Sequence, residues 1–345
     1  MSIPVDVTFH AGWWNKHAGI DFGREFFYEP DYRVERDMKM RKILYEKFGH
    51  LGLGEKDPKP RPIMGTDLLA SGYLYSEILG CEIRFFENTP PEVICANISE
   101  EQIKTLEGLD ISKNKVWQDT IWQFEYLKNK YGYVESHINL QGIQNIAMDL
   151  RGSELLMDYF LNPELAHKLI NTCTEITIQI GKYISSMSKV LSHGVTAITK
   201  QTIPDVYITS NCTVEMISEK SYEDFILEPD IKLSSVFKPF GVHHCGQTME
   251  HVIQGYAKIK DMVFAEVGAG SDIYRVRQTL PKTFLNLRYS PVKIKTASDN
   301  EIARDIEAMS DCVGSLYSIS CVGIDSETED HQVEAFIKCV KDINR

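Results

Sequence analysis

From residue 131 onward the chain alternates between two kinds of segment. YGYVESHINLQ, DVYITSN, FGVHHC, MVFAEVG, TFLNLRY and SLYSISCVG are short apolar runs rich in β-branched and aromatic residues, and they read as strands. Between them lie stretches with apolar residues at helical spacing. These are RGSELLMDYF and NPELAHKLINTCTEITIQIGKYISSMSK, then SEKSYEDFILEPDIKLSSVF, TMEHVIQGYAKI, SDIYRVRQTL and SDNEIARDIEAMS. A last helix is expected from Thr328 to the C-terminus, with Ser326 and Glu329 as its capping box. Strand, helix, strand, helix with short links is the pattern of a parallel α/β sheet. So many units in about two thirds of the chain favour a closed (β/α)8 TIM barrel over an open doubly wound sheet. No Gly-x-Gly-x-x-Gly turn follows the first clear strand, which argues against a dinucleotide-binding fold.

The first third has a different texture, dense in charge and aromatic residues. Asp31 to Phe48 reads as a helix, KDPKPRP as a connector, Ser99 with Gln102 as a capping box, and Val116 to Lys130 as a longer helix. The expectation is one domain over 1–345, with additional N-terminal helices in an extension of roughly 1–110 packed on the barrel. Trp13 and Trp14 fit core packing, an oligomer contact, or a lid over an aromatic ligand.

Composition narrows the function classes. The formal charge is −12, without basic clusters, so neither a nucleic acid nor an anionic membrane surface is expected as a partner. No apolar run is long enough to cross a bilayer, and MSIPVDVTFHAGWW lacks the pattern of a secretion signal. The eight cysteines are scattered, with no compact disulfide framework. Reduced thiols in a cytoplasmic protein are the expectation.

In a barrel the reacting groups gather at the C-terminal ends of the strands. Those ends carry Asn211 and Cys212, then His243, His244 and Cys245, Glu266, Asn286 with Arg288, and Cys321. Side chains alternate faces along a strand, so His243 and Cys245 share one side and His244 takes the other. An imidazole and a thiolate on one face suit a tetrahedral zinc, and Cys321 at the last strand end can supply a third ligand. Three protein ligands with one open position make a catalytic rather than a structural site. Packing is the competing account, since cysteine is among the most buried residue types and a strand histidine is often a hydrogen-bonded core residue. Spacing alone leaves the two level. Glu266 fits an acid, a base, a labile ligand or a buried hydrogen-bonded carboxylate. Asn286 and Arg288 fit substrate contacts, Arg288 equally a rim salt bridge. Asn211 and Cys212 fit cofactor or substrate contacts, Cys212 also a fourth ligand or an ordinary thiol.

GVHHCGQTMEHVI resembles the His-x-Cys-Gly segment of the corrinoid-linked methyltransferases of the uroporphyrinogen decarboxylase superfamily, such as the methylcobalamin:coenzyme M methyltransferases. SCVGIDSETEDHQVEAF is similar to the segment with that family's last cysteine ligand, NLRYSPVKI to its Asn-x-x-x-Pro strand end, and SNCTVEMISEKSYEDFILEPDIKL to the segment before its zinc strand. The likeness is good over roughly residues 130 to 345 and loose before that. It implies a TIM barrel with zinc on His243, Cys245 and Cys321. It also implies a methyl group moved between a corrinoid, carried by a partner protein, and a small molecule such as a thiol, a folate, a methoxy compound or a methylamine. No Asp-x-His-x-x-Gly segment occurs, so no cobalamin-binding domain is expected within this chain. The decarboxylase branch resembles itself in an Arg-Gln-Ala-Gly-Arg segment that helps bind a carboxylated porphyrinogen. FHAGWWNKHAG stands here instead and contains no arginine. A zinc-free decarboxylase or lyase, and a barrel that binds a corrinoid protein or ligand without turnover, are the alternatives.

Overall fold

Strands covered by a helix layer are rich in apolar residues, and most of the runs after residue 200 are. The computed structural model describes residues 3–106 and 108–343. Its strands are β1 (Val5–Phe9), β2 (Ile63–Gly65), β3 (Glu82–Arg84), β4 (Glu92–Ile94), β5 (Glu135–His137), β6 (Tyr207–Ser210), β7 (Phe240–His243), β8 (Met262–Val267), β9 (Phe284–Tyr289) and β10 (Tyr317–Ile324). Six form one sheet in the order β1-β10-β9-β8-β7-β6, with every neighbouring pair parallel, curled into a half-barrel. The strands nearest the two ends of the chain, β1 and β10, are therefore neighbours. β2 and β5 form a separate parallel pair, and the bridge Gln141↔Ser210 ties the chain beyond β5 to β6. β3 and β4 make an antiparallel hairpin.

The N-terminal region does add helices, at Ala11–Ala18, Arg24–Tyr28 and Pro30–Phe48. Trp13 and Trp14 are fully buried among Phe9 and Phe48, so they are core and not a lid. Arg33 is also fully buried. It donates to the carbonyls of Ile63 and Phe27 and to Gln123 Oε1, at 2.8, 2.8 and 2.9 Å. A single cation thus ties its own helix to two others, Arg24–Tyr28 and Lys115–Tyr131, and to β2.

Two local expectations change. The segment expected as a helix over 248–259 is α-helical only at Ile253–Tyr256, because residues 244–252 are spent on a loop. The last helix begins at Asp330, capped by Glu329 with Gln332 instead of Ser326 with Glu329. Asp325 holds the N–H groups of Glu327 and Thr328 in a turn just before it, which delays the start. That helix runs to Asp342, and its expected end at 344–345 lies outside the described residues. Among the described residues, no helix is long and apolar enough to cross a membrane.

Toward the C-terminal ends of the strands the half-barrel's inner face is polar. Register places Asp6 with Ser320, Ser318 with Asn286, Asn286 with Glu266, and Glu266 with His243 on one side. The segment 192–201 packs against that face. Thr196 lies beside Glu266, Gln201 donates to the Val5 carbonyl, and the Lys200 ammonium reaches Asp67 at 2.9 Å. The approach is tight: a Cβ at Gly194 would lie 1.9 Å from the His137 carbonyl oxygen, so this position needs glycine. On the opposite, helix-facing side of β6, Asn211 and the Tyr222 hydroxyl both donate to Asp230 Oδ2 at 2.8 Å. Tyr222 comes from a π turn that precedes Pro229 in the helix. Burial pushes the Asp230 carboxyl up to about 7, against the pull of those two donors.

Arg33→Met leaves several buried acceptors unpaired and is expected to lower unfolding free energy by about 2–4 kcal/mol, read by urea denaturation. Asp230 gives a pH signature. Its folded-state pKa is raised, so the native state keeps a proton that the unfolded chain releases. Stability is therefore lost as pH rises from about 4 to about 7. Asp230→Asn keeps an acceptor for Asn211 and Tyr222 and removes that loss. Its stability relative to wild type should climb across this window by up to about 4 kcal/mol. A constant difference between pH 4.5 and 7.5 contradicts this account of the buried acid.

Candidate metal centre

The ladder between β6 and β7 pairs Ser210 with His243. Two residues beyond each of these, just past the strand ends, stand Cys212 and Cys245. The result is a compact quartet at the C-terminal ends of two adjacent strands. The ligand atoms of Cys212, His243 and Cys245 all lie within 4.8 Å of one another. Ser210 Oγ is 3.4 Å from Cys212 Sγ. Cys245 is exposed, Cys212 half-buried and His243 buried, so the group opens toward solvent on the Cys245 side.

Behind it, Glu266 Oε2 lies 2.8 Å from His243 Nδ1. With Nδ1–H donated to the carboxylate, Nε2 is the nitrogen left to face the thiols. Glu266 is fully buried, and Arg288 Nη1 is 3.3 Å from its other oxygen. Burial alone would raise the Glu266 carboxyl, but His243 and then Arg288 hold it below the usual range. Burial alone would lower the His243 imidazole, but Glu266 and then Cys212 bring it up to about 9. The hydrogen bond from Cys245, helped by His243 and Ser210, holds the Cys212 thiol well below its ordinary value despite burial. Cys245, hydrogen-bonded to Cys212, moves the other way. These directions favour negative charge on Cys212 and positive charge on His243.

This donor set suits a thiophilic metal. Two sulfurs and one imidazole converge, the imidazole is oriented by a buried carboxylate, and one side is open. The set fits zinc, which Cys212, His243 and Cys245 would hold.

The remaining sequence candidates lie as follows. Cys321, expected as the third ligand, is outside the group. It pairs with Tyr289 and Val7 on β10, while its neighbour Ser320 takes the inner face beside Asn286. Alternation therefore turns Cys321 toward the helix layer, fully buried, and Cys212 stands in the third position. Asn286 is on the inner face but is tied up: it donates to Ser320 and accepts from Ser318. Asn211 points away from the quartet to Asp230 and so supports β6 from behind instead of contacting a ligand. Arg288 and Glu266 are at the site, as an ion pair. His244 faces the helices, between the Tyr256 hydroxyl and the Thr248 carbonyl; burial lowers its pKa to about 4, so it is neutral. The promotion of Cys212 had a sequence signal, since Ser-x-Cys and His-x-Cys end consecutive strands at matching positions.

The family model for uroporphyrinogen decarboxylase (URO-D) matches residues 68–343. Among solved structures, the chain resembles a methyltransferase from Methanosarcina mazei, with TM-score 0.69 and 15% identity over 100% of this chain and 95% of that one. At that identity the likeness is one of fold. A B12-independent methionine synthase from Shewanella sp. W3-18-1 in complex with selenomethionine gives TM-score 0.49 and 9% identity, over 99% of this chain and 96% of that one. No curated protein sequence matches. The URO-D match spans most of the chain and takes in β6 to β10 with the whole Cys–His–Cys group, so this chain belongs to the uroporphyrinogen decarboxylase family.

Proposed function

We propose that this protein is a zinc-dependent methyltransferase that moves a methyl group between a corrinoid carried by a partner protein and a small molecule. We read it as a single-domain, closed (β/α)8 barrel over 1–345, working in the cytoplasm. The observation that carries the reading is the convergence of Cys212, His243 and Cys245 at the strand ends, with a buried carboxylate behind the histidine. A decarboxylase acting on a carboxylated tetrapyrrole has no use for two convergent thiols.

A bound zinc ion would hold a small thiol as its thiolate at neutral pH, or draw electron density from the oxygen or nitrogen of a methyl donor. The chain's own contribution is positional and electrostatic. Cys212, His243 and Cys245 hold the metal and leave one face toward solvent. Glu266 keeps His243 in a single tautomer, presenting Nε2. Arg288 keeps Glu266 ionised and, being partly exposed, offers its remaining N–H groups to an anionic substituent on the small molecule. Asn286 and the two serines keep the floor of the site fixed.

Elemental analysis and turnover test this together. Wild-type protein purified without chelators is expected to carry about one zinc per chain, and Cys245→Ser to lose it. Incubated anaerobically with free methylcobalamin and a panel of thiols, folates, methoxylated aromatics and methylamines, wild type should transfer the methyl group for one class. The Cys245→Ser variant should be slower by a factor on the order of 100 or more. A wild-type protein without zinc, or a Cys245→Ser variant with full zinc and full transfer, contradicts the proposal.

A further inference from the structure

Neither Cys212 nor Cys245 lies within the β6–β7 ladder. Each sits two residues past its last paired position, Ser210 or His243. Sheet register therefore does not set the distance between the two thiols, and the loops that carry them must be fixed in another way. The Glu215 carboxylate, three residues beyond Cys212, does this. Its Oε1 accepts the N–H groups of Gln247 and Thr248, at 2.6 and 3.4 Å, just beyond Cys245. The loops meet so closely that a Cβ on Gly246 would lie 2.4 Å from Glu215 Oε2. The Cys212 loop is itself anchored. Asn145 donates to the Ser210 carbonyl at 2.6 Å and accepts from the Thr213 N–H at 2.9 Å and from its hydroxyl at 2.7 Å. Behind the Cys245 loop, Gly270 donates to the Gln247 carbonyl at 2.9 Å.

We infer that Glu215 is a positioning residue for the metal centre: it latches the loop carrying Cys245 to the loop carrying Cys212 and so sets the spacing of the two thiols. The inference rests on the metal reading of that group. Glu215 is solvent-exposed and touches no ligand atom, so its effect is on the pre-organisation of the site and not on the stability of the fold.

The test uses Co²⁺ as a spectroscopic probe, titrated anaerobically into metal-free protein against a competing chelator, with the urea midpoint of each variant measured alongside. Glu215→Ala should weaken Co²⁺ binding about 10-fold and alter its visible absorption, with an unchanged midpoint. Glu215→Gln, whose amide oxygen accepts the same N–H groups, should recover most of the affinity. Gly246→Ala, which displaces the carboxylate, should behave like Glu215→Ala. The latch is overturned if Glu215→Ala binds Co²⁺ with wild-type affinity and spectrum, or weakens only in step with a fall in the midpoint. Absence of thiolate-to-cobalt charge transfer in wild type instead overturns the metal reading, and the latch with it.

Discussion

The hydrogen bond between Glu266 and His243 is the interaction on which the site depends. It joins two adjacent strands on the inner face of the half-barrel, where both side chains are buried. A buried carboxylate carries a large desolvation cost unless it is paired and hydrogen-bonded. Here the imidazole and the Arg288 guanidinium supply the compensation. The same contact occupies Nδ1, leaves Nε2 toward the thiols and fixes the ring plane. The arrangement that makes Glu266 tolerable is therefore the one that aims His243 at the two thiols.

A polar inner face needs a polar filling, and the chain provides one. The segment 192–201 packs Thr196 beside Glu266 and brings Lys200 to Asp67, near the buried Asp6. Burial raises Asp6 to about 6 against the pull of Lys200, which shows how closely solvation and pairing are balanced there. In an ordinary barrel, layers of branched apolar side chains occupy this space. Here carboxylates, hydroxyls and amides occupy it, several of them hydrogen-bonded to one another, and they line the floor of the mouth.

Much of this was legible in the sequence. The six strands after residue 130 showed because each combines β-branched residues with clear flanking helices. The quartet's His243 and Cys245 showed because alternation alone puts them on one face. Other features did not. β2 is only three residues long, and β1 lies in a stretch dense in charge and aromatic residues. The filling segment 192–201 has no secondary-structure period, since its role is set by partners distant in sequence. Cys321 lies outside the Cys–His–Cys group for a physical reason. Its place at a strand end was readable, but its facing depends on the register between β10 and β9, and one residue of shift reverses every side chain. Cys212 joins the group for a related reason: its closeness to Cys245 rests on loop contacts that no periodicity encodes.

The most direct test of the account is the zinc X-ray absorption spectrum of zinc-loaded wild type and of Cys321→Ser. Two sulfurs at about 2.3 Å, one imidazole and one lighter donor, identical in both proteins, is the predicted result. Loss of one sulfur in Cys321→Ser, or a wild-type zinc bound without sulfur, contradicts the assignment of Cys212, His243 and Cys245 as the metal-holding group.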